Sequence, residues 1–327
     1  MNRRFSRLPG LFLLLCLLTL SGCIGMMSRK GWNDPGDERR ISELSFTAEQ
    51  MAWLRQATAV FFLPERVMSQ RAEFETAIER AWTLTPIKVV PWTERAQYLD
   101  AKKFVYFTVS NESSDLYFAT ENHPDKKTYW GTNTHVFLTL SREEPKEERT
   151  TAFCRIELHP DFPTLAAVAN ATPEAALATI YRAGHFWNFT PPQISLYIAS
   201  VQRDLEQARR RWLYEDFEDD AALAKLKTAT LYVPDNVLVK FDKFSGDESQ
   251  RHDPKELLAD YPYPHRLVSA LELEQILASA KGPTFVFDYV KGSTDKFVTI
   301  FERQSGMVYR HYSSVSYNLD SDDFDVF

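Results

Sequence analysis

"TAVFFLP" at residues 58–64 returns as "TATLYVP" at 228–234, with Thr, Ala and Pro in the same places and mostly apolar residues between them. The echo continues downstream. "TPIKVVPWTERAQYL" at 85–99 is answered by "YPHRLVSALELEQIL" at 263–277, and "FVYFTV" at 104–109 by "FVFDYV" at 285–290. Order is kept and only the linkers differ in length, which is the sequence signature of two copies of one supersecondary unit. Chance likeness among short β-prone runs is the competing reading; the shared order and proline punctuation favour duplication.

Each copy translates into elements. The first apolar run ends at Pro64 or Pro234, where the missing N–H makes continuing a central strand costly. In the first copy Phe74, Ile78, Ala81 and Trp82 form one stripe at helical spacing. In the second, Asp253 followed by Pro254 predicts an N-cap and first helical residue ahead of "KELLADY". "IKVV" and "RLVS" predict second strands, each leading to a short helix, and Ser269 with Glu272 has capping-box spacing. "HVFLTL" and "FCRIEL" close the first unit as strands, "KFVTIFE" and "MVYRHY" the second. The expected fold class is α/β (mixed α+β): two related β-α-β-α-β-β-β units with mixed sheets, joined by a helical connector.

The units fall at 47–160 and 227–327, with the connector at 161–226. Thr47 and Gln50 are spaced as a capping box that opens the first unit. In the connector, Thr172 and Pro173 start one helix, and Gly184 is a plausible stop. Ile194, Ile198, Val201, Leu205, Ala208 and Trp212 then recur at spacings of three and four, predicting one long helix that docks across both sheets. Its "RRR" at 209–211 invites a phosphate or lipid reading. Glu206 and the acids at 215, 216, 218, 219 and 220 make local neutralisation the better account, with Glu206 and Arg210 placed as an i,i+4 pair.

The N-terminus has a different character. "MNRRFSRLPG" carries three arginines and no acid, and "LFLLLCLLTL" is apolar apart from Thr19, the layout of a secretory signal over residues 1–22. Ten residues rise only about 15 Å as a helix, roughly half a bilayer's hydrocarbon thickness, which argues against a permanent span. The segment ends in Leu20, Ser21, Gly22 and Cys23. This resembles the lipobox of bacterial lipoproteins, and the resemblance covers about the first 25 residues. It implies cleavage before Cys23, a diacylglyceryl group on the thiol and, commonly, an acylated amino group; two or three such chains are an effectively permanent anchor. Ile24 stands where an aspartate usually signals inner-membrane retention, so the resemblance implies an outer-membrane lipoprotein facing the periplasm. Residues 23–46, polar with Gly, Pro and charge, read as a tether holding the body off the bilayer.

Loss of residues 1–22 removes three arginines and no acid, leaving 35 bases against 45 acids, a net charge of −10. Such a surface disfavours nucleic acid and anionic lipid headgroups as electrostatic partners. Of three cysteines, Cys16 leaves with the signal and Cys23 is acylated, so Cys154 stands alone and no intramolecular disulfide forms. The alternation in "TAFCRIELHP" puts Cys154, Ile156 and Leu158 on one face, as a buried structural cysteine.

No glycine-rich phosphate loop, nucleophile elbow, paired-cysteine zinc motif or His-Glu-x-x-His helix occurs, and no cofactor is expected. The strand end "RIELHPD" is the residual catalytic or metal candidate: Glu157 and His159 share a face and would need a third group such as His185 or His123. A solvent-facing charged alternation is the structural alternative. Residues 110–134, "SNESSDLYFATENHPDKKTYWGTNT", read as a long loop whose Tyr117, Tyr129 and Trp130 suit contact with a glycan or peptide. The acids of the tail, Asp320, Asp322, Asp323 and Asp325, lack the glycine and terminal glutamate of an EF-hand and read as solvated. The sequence thus points to a membrane-tethered envelope binding or scaffolding module. An envelope hydrolase or metal-dependent enzyme built on Glu157 and His159 is the alternative.

Overall fold

The computed structural model describes residues 27–28, 46–100, 102–120, 123–144, 149–169, 171–211, 216–242, 245–313 and 316–325; the lipobox lies outside them. It contains two mixed sheets with the same topology. In the first, β2 (Thr58–Leu63) lies parallel to β3 (Ile87–Pro91) on one side and to β4 (Phe104–Thr120) on the other. From β4 the sheet continues antiparallel through β5 (His123–Glu144) and β6 (Arg149–Leu158). In the second, β8 (Leu231–Pro234) lies parallel to β9 (His265–Val268) and β10 (Phe285–Lys291), and β11 (Lys296–Glu302) and β12 (Gly306–Ser313) follow antiparallel. Two related β-α-β-α-β-β-β units are therefore present. The short β7 (Phe217–Glu218) edges the second sheet against β12.

Local chemistry sets the helices. α1 (Ala48–Gln56) opens on the Thr47/Gln50 capping box, and α2 (Arg71–Ala81), which follows β2 in the chain, buries Phe74 and Ile78. α3 (Phe162–Ala169) and α4 (Pro173–Arg182) follow β6, the latter capped by the Thr172 hydroxyl with Pro173 at its start. α6 (Asp220–Leu226), capped by Asp219, precedes β8 as α1 precedes β2, so the correspondence between copies begins one helix before residue 227. α7 (Pro254–Leu257) is a single turn capped by Asp253, and α8 (Ala270–Ser279) opens on the Ser269/Glu272 capping box.

α5 (Pro191–Glu206) joins the halves. Ten of its sixteen residues are buried, too many for one stripe, so the helix is enclosed. α2 packs along it, and the Ser200 hydroxyl accepts from the backbone N–H of Met307 in β12 at 3.0 Å. α5 is shorter than its periodicity predicts. Ala208 adopts φ 50°, and the N–H of Arg209 turns back to the carbonyl of Asp204 at 2.7 Å, closing the helix although the apolar spacing runs on. Asp204 holds Arg211 at 2.6 Å, Glu206 accepts from Gln202, and Arg210 lies over the Phe46 ring. Neutralisation of the arginines is thus local, through Asp204 in place of Glu206.

Residues 110–134 are not a loop. β4 and β5 continue pairing to Thr120 and His123, forming one long hairpin arm. Hydroxyl pairs stitch its root: Thr108 to Thr139 at 3.1 Å and Ser113 to Thr134 at 2.9 Å. Met27–Ser28, expected within the tether, forms β1 and pairs with Phe118 and Tyr117 on the edge of β4 that faces away from β5. The tail also departs from expectation. The ammonium group of Lys296 binds Asp323 at 2.6 Å and Asp320 at 3.3 Å, and Phe324 stacks on Phe287, so Asp320 and Asp323 are structural partners while Asp322 and Asp325 are exposed.

At Gly306 φ is +74°, and a Cβ would lie 2.8 Å from the Cα of Ser200. Gly306→Ala is therefore expected to cost about 2 kcal/mol, read as a lower urea midpoint at unchanged slope. An unchanged midpoint would mean that α5 does not bear on β12 this closely.

Candidate functional site

Two of the sequence candidates, Glu157 and His159, lie at a seam between the sheets, and the seam is closed. Glu157 on β6 is 4% exposed, and its two carboxylate oxygens accept from the Arg310 guanidinium of β12 at 2.6 and 2.8 Å. Removing one partner of such a buried bidentate pair typically costs 3–5 kcal/mol because the other charge is stranded. Glu157 is thus occupied as an inter-sheet clasp and does not reach an open cleft.

His159, two residues on, is 2% exposed. Burial, reinforced by the Lys291 charge, pushes its pKa well below the usual imidazole value, so the ring is neutral at pH 7. Beside it Asn188 knits three elements. Its carbonyl accepts from the His159 N–H at 2.7 Å, and its amide donates to the Glu157 carbonyl at 3.3 Å and to the Tyr197 hydroxyl of α5 at 2.8 Å. Tyr197 in turn donates to Asp288 of β10 at 2.7 Å. Burial pushes the Asp288 carboxyl up to about 6.

The remaining candidates lie elsewhere. His185 contacts Asp161 at 3.2 Å, and among the described residues no group of three His, Cys, Asp or Glu is placed to hold a metal ion. The side chain of His123 lies outside the described residues. Burial pushes the Cys154 thiol up to about 12, leaving no thiolate to act as a nucleophile. Tyr129 is 56% exposed on the arm, its hydroxyl bonded to that of Thr132 at 2.9 Å. Tyr117 pairs with it across the strands; the side chains of Tyr117 and Trp130 lie outside the described residues.

An open site lies at the root of the arm; Arg155 in it borders the strand end singled out for chemistry, and Ser110, Asn111 and Glu112 open the stretch singled out for contact with a partner. A cleft of about 350 Å³ is set on one face of the first sheet. Strand alternation builds its floor: Tyr106, Thr108 and Ser110 of β4 point to the same side as Phe137, Thr139 and Ser141 of β5. Trp92 and Arg95, in the short helical segment after β3, and Leu99 just past its end form one wall, and Leu177 of α4 contributes to another. Trp92 is held rigidly, stacked on Tyr181 at 3.8 Å and edge-on to Phe62 at 5.5 Å. At the rim Arg155 meets Glu112 at 3.1 Å in a half-exposed pair, which is worth little to stability and is accessible to a ligand.

This combination of a pre-formed aromatic wall, a row of hydroxyls and a charged rim is the usual make-up of a binding cleft. The signal was present in the sequence as matched alternation, Tyr-x-Thr-x-Ser in β4 and Phe-x-Thr-x-Ser in β5. What it lacked was any sign that the residues after Pro91 would wall that face. Comparison with protein-family models, with curated proteins and with solved structures finds no match to this chain.

The seam carries a pH signature. Asp288 binds its proton more tightly folded than unfolded, so its contribution to stability declines as pH rises from about 4 to about 6. Asp288→Asn removes that dependence. Between pH 4 and pH 7 the stability difference between variant and wild type should move by on the order of 3 kcal/mol in the variant's favour. Urea denaturation at the two pH values measures it, and a difference independent of pH would show that Asp288 does not titrate in this range.

Proposed function

We propose that this chain is a membrane-tethered cell-envelope lipoprotein whose α/β body is a binding module, taking a peptide or glycan segment of an envelope partner in the cleft at the root of the β4–β5 arm. The observation that carries the binding reading is the cleft itself, about 350 Å³ with a fixed aromatic wall beside a row of hydroxyls. Planar apolar faces beside hydroxyl donors suit ligands that present both apolar patches and many polar groups. The lipobox ending in Cys23 supports the address, an acyl anchor in the outer membrane with the body in the periplasm. A hydrolase or metal enzyme built on Glu157 and His159 is disfavoured, because Arg310 takes both Glu157 oxygens and neither side chain meets the open cleft.

A photo-cross-linking residue at Leu99, 54% exposed on the cleft wall, tests the binding reading in intact envelopes. A discrete adduct should form and should be lost when Thr139→Trp fills the floor. An adduct that survives the filled cleft would place the partner elsewhere. The address has its own test: Cys23→Ala should abolish metabolic labelling with a fatty-acid analogue, and retained label would remove the anchor assignment.

A further inference from the structure

The β4–β5 arm has a distal end that the cleft does not explain. β2 stays paired with β4 only as far as Phe107, and from there to Thr120 the arm runs thirteen residues, about 40 Å of extended chain. β1 pairs near the far end, Met27 opposite Phe118 and Ser28 opposite Tyr117. Cys23 precedes Met27 by four residues, which span at most about 14 Å. An acyl group on Cys23 must enter the hydrocarbon, so residue 23 lies at headgroup level and draws the end of the arm with it.

The sequence of that end fits the location. Tyr117 stands opposite Tyr129, Phe118 follows, and Trp130 is the extra residue where the register shifts between Leu116 and Tyr117. Tyrosine and tryptophan are the residues enriched at membrane–water interfaces, and Tyr129 is exposed.

We propose that the distal end of the β4–β5 arm is the membrane-contacting element of this protein, seated at the headgroup level of the bilayer that holds Cys23. This inference rests on the lipid-anchor reading above. It replaces a flexible tether by a strand-paired stalk whose root carries the cleft. The partner is a lipid surface met at an aromatic stretch of the sequence that includes the exposed Tyr129, and a net charge of −10 on the mature chain does not oppose such a contact as it would a purely electrostatic one.

The test uses the full acylated chain with Cys154→Ala, reconstituted in phosphatidylethanolamine–phosphatidylglycerol vesicles (3:1) containing a headgroup nitroxide lipid. A fluorophore is attached at one of three exposed positions: Tyr129→Cys at the distal end, Ser113→Cys at the root of the arm, or Leu271→Cys on α8 of the second unit. Quenching at position 129 should exceed that at 271 by at least about threefold, with position 113 between them. Should Tyr129→Cys disturb the arm, position 113 still has to exceed 271. Mass spectrometry of the same sample reports the state of Cys23. Acylated protein with quenching at 129 and 113 no greater than at 271 overturns the arm assignment and leaves the anchor standing. Protein unacylated at Cys23 overturns both.

Discussion

The feature on which the rest of the molecule depends is the early end of β2. Pro64 stops that strand while β4 runs on to Thr120, so past Phe107 the β4 backbone has one edge without a sheet neighbour. Unpaired backbone groups at a buried edge are costly and must be satisfied. Here three different elements come to that edge. The N–H of Val109 donates to the Tyr181 hydroxyl of α4 at 2.6 Å, the Asn111 amide reaches the Val168 carbonyl of α3 at 3.4 Å, and β1 pairs further out. Tyr181, once fixed there, is the plate on which Trp92 stacks. The cleft wall and the attachment of the N-terminal strand thus follow from one missing strand neighbour.

What was legible in the sequence was local. Caps and proline starts at Thr47, Thr172, Asp253 and Ser269 form as their spacing predicts, because each is decided within four residues. The repeated order of strands was legible for a related reason: each strand carries its own apolar pattern. The arm was missed because Ser, Asn, Asp and Thr dominate residues 110–134 and look like loop, although the backbone pairing that makes a ribbon does not depend on an apolar pattern. The helix after Pro191 was read too long because its spacing persists to Trp212, while the left-handed turn at Ala208 is imposed by Asp204 and the arginines around it. Nothing local announced the Glu157–Arg310 clasp, whose partners are 153 residues apart. An exposed strand carboxylate and a buried one read alike.

The two copies keep one topology, and beside apolar contacts such as Tyr197 against Phe301 the seam between them carries buried polar pairs. Glu157 with Arg310, Tyr197 with Asp288, and His135 with Asp295 all bridge different parts of the fold. Burial raises the Asp295 carboxyl, but His135, Asn133 and Tyr312 together hold it below the usual value. Groups like these add little net stability compared with an apolar contact of the same size. Their effect is on alignment, since each bond is satisfied in one relative placement of the sheets and a slipped arrangement would strand a charge.

The same seam determines how the arm behaves. A two-stranded ribbon is marginal by itself, so a 40 Å arm keeps a direction only if its root is braced on more than one side. One brace is the edge contact with α3 and α4. The other comes from the second copy, whose β10–β11 turn presses against β5. The Ser293 N–H donates to the side-chain Oδ1 of Asn133 at 3.2 Å, the Thr134 N–H to the Ser293 hydroxyl at 3.2 Å, and the Asn133 Nδ2 to Asp295 at 2.8 Å. At Gly292 a Cβ would overlap the Asp295 carboxylate and crowd the His135 ring, so only glycine lets the turn approach this closely. The short hairpin of one copy therefore grips the root of the long hairpin of the other, and the cleft lies on the face between these braces. A load applied at the distal end of the arm is carried through paired strands into the floor of the cleft, because that floor and that arm are the same two strands.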